Sequence, residues 1–165
     1  MNIFCITNNK GGVAKTTSAV NLAYALANNG YKILMIDTDP QCNSTYSLLG
    51  NLDQAKTLFD VLLDNLPIEQ TIIPTKNKNL FVVPCSINLS AADLMLASAH
   101  GRERKLERAI RPVKDLYDFI IIDTPPHGVV PAAATRHHLM RYTVPSISNR
   151  LFISNWNCPY GVIWV

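Results

Sequence analysis

A short basic run with two adjacent glycines holds the residues of this chain best suited to chemistry: Lys10-Gly11-Gly12-Val13-Ala14-Lys15-Thr16-Thr17. The apolar residues 2–7 before it predict a buried strand, and apolar residues spaced by three and four from Lys15 to Asn29 predict a helix after it. Between a strand and a helix, bare backbone amides and the positive helix end can bind phosphate. In such a loop, Lys15 is expected to reach β- and γ-phosphate oxygens and the Thr16 hydroxyl to ligate Mg²⁺.

Three carboxylates follow the ends of two further predicted strands. Residues 32–36 precede Asp37-Thr38-Asp39-Pro40, and the very apolar residues 119–122 precede Asp123. Because proline interrupts strand pairing, we expect both Asp37 and Asp39 to lie in a loop. The carboxyl ends of parallel strands meet at one edge of a sheet, where open α/β folds bind ligands. The three carboxylates and the basic run are therefore predicted to share one site.

The remaining predicted elements alternate between strands and helices. Their markers are a capping box, a strand stopped by proline, a second helix start and a basic amphipathic helix: Thr57–Asp60, Leu80–Val83, Ser90–Asp93 and about Arg102–Lys114. This alternation implies parallel pairing through right-handed crossovers, and hence an α/β fold. Acidic residues interleave with the basic ones of the last helix, which favours a solvent-exposed, salt-bridged surface over a DNA-binding one.

Length and composition indicate one globular domain, since 48% of the 165 residues are hydrophobic. The net charge of +3 is weak support for nucleic-acid binding, because the basic excess lies after Asp123, where there is no acidic residue.

The four cysteines include no C-x-x-C pair, so we predict reduced thiols rather than a zinc ribbon or a disulfide framework. Neither a signal peptide nor a membrane-spanning stretch is recognisable, which predicts a soluble, cytoplasmic protein.

The basic run resembles the deviant Walker A loop, K-G-G-x-x-K-[ST]-T, of the ParA and MinD branch of P-loop ATPases. The general Walker A pattern is not met, because its glycines would fall on Asn9 and Ala14. Ala14 stands where glycine is commoner, and its methyl group is expected to be tolerated with a negative φ. The block from Ile33 to Thr45 resembles the D-x-D-P-Q-x-N region of ParA and Soj proteins, and Tyr117 to Pro126 resembles a Walker B strand. The resemblance covers about residues 1–126.

The resemblance implies a P-loop NTPase fold, with a mostly parallel sheet flanked by helices in three α/β/α layers. It implies that Asp39 orients the attacking water, that Asp37 supports the metal and phosphate region, and that Asp123 holds Mg²⁺ through water. Lys10 would reach the nucleotide of a partner subunit and neutralise charge there. The predicted catalytic residues are thus Lys10, Lys15 and Asp39, the nucleotide-binding residues are 10–17, and the metal-binding residues are Thr16, Asp37 and Asp123.

The resemblance further implies an ATPase that binds and hydrolyses Mg-ATP as a nucleotide-sandwich homodimer in plasmid or chromosome partitioning. It implies a ParB-type centromere-binding partner, and an association with non-specific DNA that would bring the protein to the nucleoid. One alternative is a truncated, inactive ParA remnant that binds nucleotide weakly or acts through a full-length partner. Another is a MinD-like membrane-associated ATPase, which Pro40-Gln41-x-Asn43 and the lack of a basic amphipathic helix at the end of the chain disfavour.

The composition changes after Pro126, which predicts a ParA-like core at 1–126 and an atypical tail at 127–165. The tail holds three of the four histidines, both tryptophans and no acidic residue, and strands are predicted only at 151–153 and 162–165. We hypothesise a truncation or frameshift there, which would leave the fold incomplete relative to the family. Neighbours on one side of the strand at 2–7 would then come from the tail or be missing, and an exposed edge would invite pairing with another chain.

Overall fold

One sheet of six strands organises the part of the chain that the computed structural model describes, residues 2–8, 10–96, 104–126 and 160–164. The strands are β1 (Asn2–Thr7), β2 (Ile33–Asp37), β3 (Ile73–Pro74), β4 (Leu80–Val83), β5 (Phe119–Asp123) and β6 (Tyr160–Trp164). They lie in the order β3-β4-β2-β5-β1-β6, and every neighbouring pair is parallel except β3 with β4. The predicted α/β fold with a mostly parallel sheet is confirmed.

The α-helices of the described residues are α1 (Lys15–Asn28), α2 (Asn43–Leu49), α3 (Leu58–Leu63), α4 (Leu89–Met95) and α5 (Lys105–Ile110). The predicted capping box opens α3, since Asp60 Oδ2 accepts hydrogen bonds from the Thr57 N–H and hydroxyl at 2.7 and 3.0 Å. α5 is shorter than predicted at its carboxyl end, because Pro112 has no amide proton with which to continue the helix. Of these helices, none is long and apolar enough to cross a membrane.

Apolar side chains cover both faces of the sheet, because successive residues of a strand point to opposite sides. On β2, Leu34 and Ile36 pack in one cluster with α3, α4 and α5. Ile33 and Met35 pack in a second cluster with α1 and α2. All four side chains are 0% exposed. Helices on both faces of the sheet produce the predicted three-layer α/β/α arrangement.

The strand on the far side of β1 comes from the tail. β6 pairs in parallel with β1, from Ile3 opposite Tyr160 to Thr7 opposite Trp164. β1 therefore lies between β5 and β6, so a tail strand fills the position that the sequence left open, and the expected exposed edge at β1 does not occur. β6 begins two residues before the strand predicted at 162–165. The strand predicted at 151–153 lies outside the described residues.

Candidate functional site

Three adjacent strands end beside the basic run. In the register of the sheet, Asp123 at the end of β5 lies opposite Ile6 of β1 on one side and opposite Asp37 of β2 on the other. The run itself connects β1 to α1. Parallel strands thus bring two of the predicted carboxylates and the predicted phosphate loop to one edge of the sheet, where open α/β folds bind ligands.

The basic run is an open loop in which one lysine is buried. Lys10, Gly11 and Gly12 are exposed, and Gly12 has a φ of +71°, which only glycine adopts without strain. Lys15 is only 7% exposed, and its Nζ donates a hydrogen bond to the Lys10 carbonyl at 3.2 Å. The Lys15 ammonium therefore lies over the loop. Of the other residues of the run, Val13 and Thr16 are half-buried, and Ala14 and Thr17 are exposed.

Ala14 adopts a left-handed backbone conformation, with φ +63° and ψ 26°, so the negative φ on which the expected tolerance of its methyl group depended is not observed. The reason is the sharp turn into α1, which starts at Lys15 and whose first turn includes the hydrogen bond from the Ser18 N–H to the Ala14 carbonyl at 2.8 Å. Left-handed backbone costs an L-residue about 1–2 kcal/mol. The loop therefore stores backbone strain at Ala14.

Asp37 is the last residue of β2 and is fully buried, so the prediction that it lies in a loop is wrong. Pairing with β5 continues through Asp37, and Pro40 follows too late to interrupt it. The Asp37 Oδ2 accepts hydrogen bonds from the Thr45 N–H at 2.8 Å and the Thr45 hydroxyl at 2.6 Å, and Oδ1 accepts one from the Asp39 N–H at 3.1 Å. Burial raises the pKa of Asp37, and these hydrogen bonds oppose that rise.

Asp123 is also fully buried, but its carboxylate receives no hydrogen bond from the described residues. Neither of its side-chain oxygens has a hydrogen-bond partner among the described residues, and the same holds for the buried hydroxyl of Ser44. The backbone at Asp123 is firmly held, because its carbonyl accepts from the Thr38 N–H at 3.0 Å and the Thr38 hydroxyl at 2.6 Å. Two bare carboxylate oxygens thus have a fixed position at the end of β5.

Burial raises the pKa of Asp123 to about 7, and the negative charge of Asp37 adds to the rise. The nearby hydroxyls of Thr16 and Ser44 act in the opposite direction. A buried carboxylate without partners is costly, and a cation would remove that cost. Carboxylate and hydroxyl oxygens are ligands that suit Mg²⁺. The residues around Asp123 therefore fit a magnesium ion.

The described residues contain no cluster of three or more His, Cys, Asp or Glu side chains that could hold a metal by themselves. Magnesium does not need one, since it commonly binds one or two carboxylates together with water and substrate phosphates. The donor set around Asp123 therefore resembles a shared metal and phosphate site more than a closed protein cage.

Asp39 lies in the tight turn between β2 and α2, as the sequence predicts, and is 7% exposed. Its Oδ1 accepts a hydrogen bond from the Gln41 N–H at 2.9 Å, and its carbonyl accepts one from the Cys42 N–H at 2.8 Å. No role was predicted for Ser44 or Thr45, which lie in the first turn of α2. The sequence feature that could have identified these two residues is their position directly after the D-x-D-P-Q-x-N block.

Known proteins resemble this chain in sequence and in structure. A family model described as an AAA domain matches residues 1–135. The sporulation initiation inhibitor protein Soj of Bacillus subtilis (strain 168) is 43% identical over 125 residues, and the chromosome partitioning protein ParA of Myxococcus xanthus (strain DK1622) is 42% identical over 125 residues. A crystal structure of cobyrinic acid a,c-diamide synthase from Mycobacterium smegmatis with bound ADP and magnesium has a TM-score of 0.77 and 32% identity. The structural match covers 81% of this chain and 55% of the synthase chain.

The curated matches cover 75% of this chain but only 49% of Soj and 44% of ParA. The chain thus spans about half the length of the curated relatives it matches. The residues that the family model matches contain the basic run, Asp37 at the end of β2, Asp39 after it, and Asp123. These residues carry the deviant Walker A, D-x-D-P-Q-x-N and Walker B resemblances. This chain belongs to the ParA/Soj family of AAA-domain P-loop proteins.

Proposed function

We propose that this chain binds Mg-ATP at the loop of residues 10–17 and hydrolyses it. The observation that carries the proposal is the bare, buried carboxylate of Asp123, which lies at the end of β5 with the Thr16 and Ser44 hydroxyls nearby. A cation and a phosphate group would together satisfy the groups that this edge of the sheet leaves without partners. The structural relative crystallised with ADP and magnesium supports the same ligand class.

The loop contributes positive potential to the site. Exposed amides at Gly11 and Gly12 and the amino end of α1 favour an anion. Lys15 Nζ exchanges its weak bond to the Lys10 carbonyl, at 3.2 Å, for phosphate oxygens. Because Lys15 is already buried, it needs little additional ordering when phosphate binds.

Thr16 and Asp123 hold the metal in this proposal, and Ser44 and Asp37 support that region. A magnesium ion held there would supply positive charge to offset that of the phosphate oxygens. Asp37 acts through the Thr45 hydrogen bonds that hold the first turn of α2 against β2. Asp39 orients the attacking water, and the Gln41 N–H keeps its carboxylate in position at 2.9 Å.

The proposed function includes assembly into a homodimer. Lys10 is exposed on the loop, which leaves its ammonium accessible to the nucleotide of a second subunit in an ATP-dependent homodimer. By analogy with the relative described as a chromosome partitioning protein, the dimer acts in plasmid or chromosome partitioning. The resemblance to ParA proteins adds a ParB-type partner and non-specific DNA to this proposal.

Thermal unfolding and phosphate release test the proposal. Mg-ATP at about a hundred times its Kd should add about 2.7 kcal/mol to the unfolding free energy of the parent chain. Lys15→Ala should lose both this gain and hydrolysis, whereas Lys10→Ala should keep the gain and lose hydrolysis and dimerisation. Lys78→Ala removes an exposed lysine from the turn before β4, away from the site, and serves as the matched control.

A parent chain that melts identically with and without Mg-ATP would refute nucleotide binding. A nucleotide-dependent melt without phosphate release would favour the inactive-remnant alternative. Equal losses in Lys15→Ala and Lys78→Ala would show that the effect of Lys15 is not specific to the loop.

A further inference from the structure

Ser44, in the first turn of α2, carries a buried hydroxyl that the packing of the helix does not explain. The side chain is 0% exposed, and its Oγ has no hydrogen-bond partner among the described residues. No side chain caps α2, so the hydroxyl does not serve the start of the helix. Burial of a hydroxyl without a partner costs free energy, and alanine has the higher helix propensity. Stability of the fold by itself therefore favours alanine at this position.

The hydrogen bonds of the next residue fix the place of Ser44. The Thr45 N–H, which belongs to the peptide bond that follows Ser44, donates to Asp37 Oδ2 at 2.8 Å. The Thr45 hydroxyl donates to the same oxygen at 2.6 Å. Asp37 lies directly opposite Asp123 in the register of β2 and β5. Ser44 is therefore held beside Asp37, one strand away from Asp123.

Ser44 and Asp123 lack partners at the same edge of the sheet. The buried side-chain oxygens without a hydrogen bond from the described residues are Ser44 Oγ and both carboxylate oxygens of Asp123. Burial raises the pKa of Asp37 and of Asp123, and the Ser44 hydroxyl is among the groups that oppose the rise in both. Buried polar atoms are normally satisfied, so partnerless oxygens gathered at one edge indicate a polar ligand between them.

A hydrated magnesium ion would satisfy both residues. Mg²⁺ commonly binds one or two carboxylates together with substrate phosphates, and it keeps several of its water molecules. A serine hydroxyl can accept a hydrogen bond from such a water and donate one to another oxygen. Thr16 supplies the hydroxyl ligand in the proposed function, so Ser44, which lies on a different helix, is left for the water molecules around the ion.

We infer that Ser44 is a positioning residue for the metal, whose hydroxyl hydrogen-bonds to a water molecule that Mg²⁺ retains and does not stabilise the metal-free fold. This role rests on the proposed function and adds to it a residue that acts on the ion and not on the nucleotide. Residues that orient the ligands of a metal typically contribute about 10–100-fold to its affinity. Removal of the hydroxyl should therefore weaken binding with magnesium and leave the metal-free protein no less stable.

Two measurements on the whole chain test this role. Isothermal titration calorimetry with the non-hydrolysable analogue AMPPNP gives a Kd with saturating Mg²⁺ and a second Kd with EDTA. We expect Ser44→Ala to raise the first Kd by about tenfold or more and to leave the second unchanged. Thermal unfolding with EDTA and no nucleotide should give Ser44→Ala a melting temperature equal to that of the parent or higher, because no hydrogen bond is lost.

Two residues of the same helix provide controls. Ser47 is exposed, and its hydroxyl donates to the Asn43 carbonyl at 2.7 Å, so Ser47→Ala should change neither Kd. The Thr45 hydroxyl is bonded to Asp37 and to the Cys85 N–H. Thr45→Val should therefore lower the metal-free melting temperature, which Ser44→Ala should not do.

Equal Kd values of the parent and Ser44→Ala with Mg²⁺ overturn the inference and leave the proposed function intact. Equal losses of affinity with Mg²⁺ and with EDTA also overturn it, as does a lower metal-free melting temperature of Ser44→Ala, since either result shows a structural role. A parent that binds no AMPPNP, or that gains no affinity from Mg²⁺, overturns the proposed function and this role with it.

Discussion

The buried carboxylate of Asp123 makes the stability of the metal-free protein depend on pH, and Asp123→Asn should remove that dependence. Burial, with the charges of Asp37 and Asp39, raises the pKa of Asp123 from 3.8 to about 7. The folded state therefore keeps a proton between about pH 4 and pH 7 that the unfolded state has lost. Because the folded state binds more protons in this window, the contribution of Asp123 to stability falls as the pH rises.

The size of the effect follows from the same pKa values. At 1.36 kcal/mol for each pH unit, a pKa difference of about 3 corresponds to about 4 kcal/mol of unfolding free energy. Asparagine has nearly the same shape and does not titrate. The parent-minus-variant difference therefore isolates Asp123 from other titrating groups, including the buried Asp37. We expect this difference to fall by about 4 kcal/mol between about pH 4 and pH 8.

Urea unfolding with a chelator present, followed by circular dichroism, measures this difference at each pH. Mg-ATP at pH 8 should then stabilise the parent and have a much smaller effect on Asp123→Asn, since the variant lacks the carboxylate that holds the metal. A parent-minus-variant difference that stays flat, or that rises with pH, would refute the conclusion that Asp123 is a bare, buried carboxylate.

Three further substitutions test local features of the site and of α3. Ala14→Gly should raise the unfolding free energy by about 0.5–1 kcal/mol in chemical denaturation, because the relief of left-handed strain exceeds the entropy that glycine adds to the unfolded chain. Thr45→Val should lower it by about 2–3 kcal/mol in the same assay, since the hydroxyl that bonds Asp37 and Cys85 is lost from a buried position. Thr57→Ala should lower the thermal stability by about 1 kcal/mol, because α3 loses its capping box.

Each of these substitutions has a matched control. Ala25→Gly, at an exposed site inside α1, should lower stability by about 1 kcal/mol, so an equal fall for Ala14→Gly would contradict the left-handed backbone. Thr17→Val, which is exposed in α1, should be nearly neutral, and a neutral Thr45→Val would mean that its bonds contribute little. Thr57→Ser keeps a capping hydroxyl, and a loss as large as that of Thr57→Ala would exclude the cap as the cause.

Local sequence patterns were sufficient to predict the strands and helices whose buried apolar residues recur at a regular spacing. β4 has the predicted bounds, Leu80–Val83, and α1 ends one residue before its predicted end. Pro84 follows β4 directly and Gly30 lies two residues after α1, and the apolar spacing of both elements reflects contacts that each makes along its whole length.

Short elements were not predictable in this way. α2 has seven residues and starts after the left-handed Cys42 without a side-chain cap, so it has neither a clear helical period nor a start signal. β3 has two residues and exists because it pairs with the antiparallel edge of β4. The pairing of β6 with β1 joins positions more than 150 residues apart, as in Ile3 opposite Tyr160, which no local pattern contains.

The sequence by itself determined the family, the fold class, and the types and order of the residues at the candidate site. Tertiary structure alone decided how they are held: Asp37 bonded by Thr45 and Asp39, Asp123 without a side-chain partner among the described residues, and Ala14 in a left-handed turn. The reason is physical. The free energy of a carboxylate depends on burial and on hydrogen-bond partners, and here Asp37 and Asp123 are buried side by side because β2 and β5, which are distant in the chain, pair in the sheet.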